Sequence, residues 1–97
     1  MPALDVICNS LAQIAPLGLA ESWDNVGLLV GDRTDEIERV MTCLTITPDV
    51  VIESESEQAQ LVVVHHPLPF KPLQRITTDS IPGAMLLRLI RSGVAVY

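Results

Sequence analysis

Leu4, Ile7, Cys8, Leu11, Ile14 and Ala15 recur at spacings of three and four, which predicts an amphipathic helix near the start of the chain. Pro2 suits its first turn, and Pro16 and Gly18 stop it. The apolar run Val26-Gly27-Leu28-Leu29-Val30 predicts a short strand, closed by Gly31-Asp32. Residues 33–38 then read as a polar connection. A second strand is expected over residues 39–46, where β-branched and apolar side chains mix. Thr47-Pro48-Asp49 is a helix start: Thr caps, Pro fits the first helical position, and Asp complements the macrodipole. That helix runs to about Gln58. Its outer face carries Glu53, Glu55 and Glu57 and reads as solvated, since acids two apart do not converge on a helix.

Leu61-Val62-Val63-Val64 is apolar at every position, the pattern of a strand buried on both faces. His65, His66 and Pro67 follow at once, and proline cannot donate to a sheet ladder. Three prolines within residues 67–72 make the next segment a stiff extended loop. Asp79 or Ser80 caps a further helix containing Met85, Leu86, Leu89 and Ile90, which ends near Arg91. Gly93 supplies a left-handed stop, and Val94 to Tyr97 opens a new strand. From residue 39 onward the order is strand, helix, strand, helix, strand. The expected class is therefore α/β, a mostly parallel sheet flanked by helices, forming a single unit over residues 1–97.

Composition narrows the chemistry. The chain has 97 residues, 48% of them hydrophobic, and only Trp23, Phe70 and Tyr97 are aromatic. The core must be aliphatic. A net charge of -6 is the wrong sign for gripping a nucleic-acid backbone, so no nucleic-acid partner is expected. Cys8 and Cys43 are isolated, with no C-x-x-C pair, and read as buried free thiols in a reducing cytosol. No signal peptide is evident, and no run of about 18 apolar residues exists to span a membrane. A cytoplasmic location is expected.

His65 and His66 are the only histidines, and they fall at the carboxyl end of a central strand. Open α/β sheets place their ligand sites there. Successive strand side chains point to opposite faces, so the pair does not easily grip one ion. The rings can serve two ions, one each, or turn toward a common region where the strand breaks at Pro67. Paired metals about 3.5–4 Å apart are a recognised hydrolytic arrangement. Two imidazoles do not complete even one catalytic zinc site, which takes about three protein ligands. Asp24 and Asp32, both flanking turns, are the local candidates for more. The structural alternative has one histidine packed in the core and the other capping a loop. Trp23-Asp24-Asn25 likewise has two readings. In one, Trp23 is the largest core side chain and Asp24-Asn25 make a turn. In the other, Asp24 and Asn25 project into a cleft beside the histidines.

Trp23 to Leu28, Leu61 to Phe70 around His65-His66-Pro67, and Gly93 to Tyr97 together resemble, in order and spacing, the amino-terminal part of the Nif-three-like family. Its members are often named GTP cyclohydrolase 1 type 2 homologues. The resemblance covers essentially the whole chain but well under half of a typical member. It implies an α/β fold assembled into a toroidal homohexamer, with a dinuclear metal centre facing an inner cavity. The positions matching His65 and His66 would be metal ligands, one to each of two divalent ions, Zn, Mn or Fe. The remaining ligands, an Asp of a His-Thr-x-x-Asp motif and a more distant His and Glu, would lie beyond Tyr97. The chain is thus expected to be the amino-terminal portion of a longer protein. Two positions depart from the family pattern: Thr45 stands in a Leu-Asp-x-Thr strand motif, and Gln60 stands where an Asp is common.

The resemblance implies a metal-dependent hydrolase acting on a nucleotide-like or phosphorylated small molecule. His65 and His66 would be ligands rather than general bases. The alternative is a non-catalytic metal-binding scaffold or regulatory partner, and a weaker rival is another dinuclear phosphoesterase family.

Overall fold

Which backbone groups find partners determines where each element stops. A computed structural model describes residues 1–97. The elements are α1 (Leu4–Ile14), a short 3-10 turn (Leu17–Leu19), β1 (Val40–Thr45), α2 (Pro48–Ser56), β2 (Leu61–His66), α3 (Ile81–Arg91) and β3 (Ala95–Val96). The three strands form one parallel sheet in the order β1-β2-β3, so the apolar β2 is central, as its sequence requires. Leu61 and Val62 are wholly buried.

Two aliphatic clusters hold the sheet. On one face, Ile46, Val51, Val62, Leu68, Met85, Leu86, Leu89, Val94 and Val96 pack together beneath α2 and α3. On the other, Leu4, Cys8, Ile37, Leu61 and Ala95 pack beneath α1. The alternation of Leu61 and Val62 between the clusters is the period-two geometry of a strand buried on both sides. The cover of α1 does not reach β1, where Val40 and Leu44 stay exposed. Nor is the apolar stripe of α1 buried to its end: Leu4 and Cys8 are buried, while Ile14 is exposed.

The caps follow the sequence closely. Thr47 Oγ1 accepts from the Val50 N–H at 3.3 Å, and Pro48 opens α2. Of the two candidates for α3, Ser80 is the cap, accepting from the Gly83 N–H at 3.1 Å. Gly93, with φ 72°, ends the turn after α3. Helix α1 has no side-chain cap, and Pro2 lies just outside it. Carbonyls of the 33–35 segment fill the gap: Leu4 N–H donates to Asp35 O at 2.7 Å and Asp5 N–H to Arg33 O at 3.0 Å. The connection is also less polar than expected, since Ile37 is buried beneath α1.

Three expectations are corrected. The Val26–Val30 segment is not a strand. It contributes a single antiparallel bridge, Val30 to Val96. Gly27 and Gly31 bracket the run at φ 96° and 143°, which bends the backbone away from a ladder at both ends. Trp23 is not in the core; it is 66% exposed. The acidic face of α2 is not wholly solvated either. Glu55 takes a two-pronged pair from Arg88, at 2.6 and 2.8 Å, and a hydrogen bond from Ser92 Oγ at 2.9 Å, tying α2 to α3. Gln60 holds the turns before β1 and β2 together. Its Oε1 accepts from the Glu38 and Arg39 N–H groups, each at 2.8 Å, and its Nε2 donates to Gln58 O at 2.6 Å. No helix is long and apolar enough to cross a membrane.

Two outcomes follow. A Cβ at Gly31 would sit 2.7 Å from Ala95 Cβ and 3.0 Å from Leu4 Cδ2, on a backbone at φ +143°. Gly31→Ala should therefore cost about 1–3 kcal/mol, read as a lowered denaturant midpoint; an unchanged midpoint would show that the segment yields freely. The hydrogen bonds from Arg88 and then Ser92 hold the Glu55 carboxyl below the ordinary glutamate range. A depressed folded value means that its contribution is present above the unfolded value and lost as pH falls through the folded one. Glu55→Gln should lower stability at neutral pH and flatten the acid limb of the stability–pH curve. An acid limb identical to that of the wild type would contradict this role.

Candidate metal centre

Both histidines belong to β2, which continues through them and ends only before Pro67. In register, β1 stops at Thr45, opposite His66. The two imidazoles therefore stand at the carboxyl end of the sheet, and both residues are exposed. Strict alternation would throw them to opposite faces. Instead the ring centroids are 5.0 Å apart with planes inclined at 51°. Neither ring is locked in the apolar interior. His66 Nδ1 lies 2.8 Å from Thr45 Oγ1, leaving its Nε2 without a protein hydrogen bond. Neither ring nitrogen of His65 bonds within the protein.

The loops beside the pair are cross-tied. Leu68 is buried beneath α3 and pegs the proline loop, whose Leu68–Pro69 peptide is cis. Asn25 Nδ2 donates to Pro69 O at 2.5 Å, joining the two loops. Trp23 and Phe70 meet across the same junction, ring centroids 6.2 Å apart. Asn25 thus approaches the histidine loop, whereas the Asp24 carboxylate turns back to accept the N–H of the next residue, Asn25, at 2.8 Å.

Asp32 is also engaged in its own turn, accepting from Thr34 N–H at 2.9 Å and Thr34 Oγ1 at 2.7 Å. Those bonds, the backbone one first, hold its carboxyl below the ordinary aspartate range. It lines a cleft with Gly93, Val94 and Ala95 at the amino end of β3, the opposite end of the parallel sheet from the imidazoles. The sequence expectation that Asp24 or Asp32 would add ligands beside the histidines is thus not met. Cys8 is buried and Cys43 half-buried, both free, and burial pushes both thiols up, away from the thiolate that binds metals. No group of three His, Cys, Asp or Glu side chains comes together. The donor set that remains is two neighbouring imidazoles, borderline ligands that suit Zn, Fe and similar divalent ions, one nitrogen for each. Two imidazoles fit such an ion as part of its ligand set, since a catalytic zinc takes about three protein ligands. Sequence pattern alone did not identify the contact of Thr45 with His66, because it depends on the register of β1 against β2.

The architecture and the imidazole pair define an α/β protein with a parallel sheet and a paired-histidine rim. Over residues 2–97 the chain matches the Duf34/NIF3 (NGG1p interacting factor 3) family, and it belongs to that family. A Clostridium acetobutylicum protein named GTP cyclohydrolase 1 type 2 homolog is 37% identical over 91 residues, covering 94% of this chain and 34% of that protein. The Helicobacter pylori (strain J99) protein named GTP cyclohydrolase 1 type 2 is 34% identical over 96 residues, covering 99% and 39%. Among solved structures, Staphylococcus aureus SA1388 is 33% identical with a TM-score of 0.92, covering 97% of this chain and 30% of that one. Reduced HcgD from Methanocaldococcus jannaschii is 28% identical with a TM-score of 0.88, covering 98% and 38%. The chain spans about a third of the length of the curated relatives it matches.

Proposed function

We propose that this chain supplies one half of a dinuclear metal centre, with His65 and His66 each presenting one nitrogen to a separate divalent cation. The observation that carries the proposal is the exposed, side-by-side placement of the two rings, 5.0 Å apart, at the rim of the central strand. That separation suits ions about 3.5–4 Å apart. Two divalent ions held that close supply Lewis acidity and an acidified water for hydrolysis. The residues of this chain bind and orient. β2 fixes the backbone of both ligands, and the proline loop follows directly after them.

The activity proposed for the whole protein is metal-dependent hydrolysis of a nucleotide-like or phosphorylated small molecule, in keeping with the names of its relatives. The remaining ligands are assigned to polypeptide outside residues 1–97, and the working form to a homohexamer. The two separated free thiols support a reducing, cytoplasmic setting. The alternative reading is a metal-holding scaffold without turnover, which uses the same two ligands.

Purified full-length protein loaded with Zn, Mn or Fe separates the two. Metal-dependent turnover on a nucleotide panel should vanish in His65→Ala and in His66→Ala. Each variant should also lose metal affinity by more than about 100-fold, since outer-shell partners alone are worth about 10–100-fold. Wild-type uptake without turnover would favour the scaffold. Unchanged uptake in both variants would overturn the metal assignment.

A further inference from the structure

We propose that Thr45 is the positioning residue for His66, holding Nδ1 toward the sheet so that Nε2 is the nitrogen presented to a cation. The inference rests on the metal reading above and adds to it which nitrogen is presented and what selects it. Thr45 is the last residue of β1 and the in-register partner of His66. Its Oγ1 lies 2.8 Å from His66 Nδ1. The ladder between the strands fixes both backbones, and a β-branched side chain has few rotamers, so the hydroxyl is held in place before any ligand arrives. His65 has no such partner. The two neighbouring imidazoles are therefore unequal: one ring is oriented by the protein and the other is free to turn.

The chemistry of the hydroxyl adds a second consequence. When Nε2 holds a cation, Nδ1 carries the proton and donates it to Oγ1. Without a cation the hydroxyl can instead donate to Nδ1, because a hydroxyl is both donor and acceptor. A carboxylate at this position would accept only, forcing the Nδ1–H form and making the ring a stronger ligand. Thr45 thus orients the ring without imposing one tautomer. The site it builds is softer than a carboxylate-backed one.

The test uses the protein with Co2+ alone as the probe, and three variants: Thr45→Val, which keeps the shape and removes the hydrogen bond, Thr45→Ser, which keeps it, and Thr45→Asp. Ring-nitrogen NMR of the metal-free protein should show a hydrogen-bonded Nδ1 on His66 but not on His65. That signature should disappear in Thr45→Val, return in Thr45→Ser, and become the Nδ1–H form in Thr45→Asp. Co2+ affinity should fall about 10–100-fold in Thr45→Val, the cost of losing an outer-shell partner. It should recover in Thr45→Ser and exceed the wild type in Thr45→Asp. Identical His66 spectra and Co2+ affinity in wild type and Thr45→Val would overturn the proposal. A His66 signature that follows the hydroxyl while Co2+ binds neither protein would uphold the positioning contact and overturn the metal reading on which its purpose rests.

Discussion

The burial of β2 on both faces is the constraint on which the rest of the structure depends. A strand with wholly buried Leu61 and Val62, paired in parallel on each side, cannot slip by one residue without exchanging its two sets of side chains between clusters. Its register is therefore tightly set, and its last two residues inherit that precision. Because β1 ends at Thr45, opposite His66, and β3 pairs only as far as Val62, the strand delivers two polar rings to the sheet rim before Pro67 stops further pairing. A rigid apolar element thus ends in an edge that carries two exposed imidazoles. This is the usual location of ligand sites in open α/β sheets.

The surrounding contacts keep that edge in place from several directions. Glu55, Arg88 and Ser92 lock the two helices that cover one face. Gln60 fixes the start of β2 by bonding three backbone groups around it. Asn25 fastens the first loop to the carbonyl of Pro69, just past the histidines, and Leu68 anchors the proline loop in the core. The exposed half of the sheet face at Val40 and Leu44 is the least supported part. It lies on the edge strand, away from the tightly packed centre.

Periodicity made the parallel core and its helices legible, because burial is written directly into Leu61 to Val64 and into the Thr47-Pro48-Asp49 start. The family was legible for a related reason: the histidine segment combines a buried strand, two ligand-type side chains and a strand breaker within a few residues, and the match over residues 2–97 agrees. The Val26–Val30 segment misled because its composition is that of a strand while its glycines adopt turn angles, which composition does not encode. Trp23 misled because size favours burial on average, yet its loop position pairs it with Phe70 at the surface. The roles of Glu55 and Thr45 depend on which residues face each other across elements, and one sequence does not state that. Asp24 and Asp32 read as available ligands in the sequence, which does not show that each carboxylate accepts from a nearby N–H, of Asn25 and of Thr34.

Diffraction from crystals of the full-length protein grown with Zn2+ tests the central claim most directly, since anomalous scattering locates each ion independently of any assay. The account predicts two peaks about 3.5–4 Å apart, one within about 2.0–2.1 Å of a His65 nitrogen and the other at the same distance from His66 Nε2. A single ion shared by both rings, or density that touches neither, would contradict it.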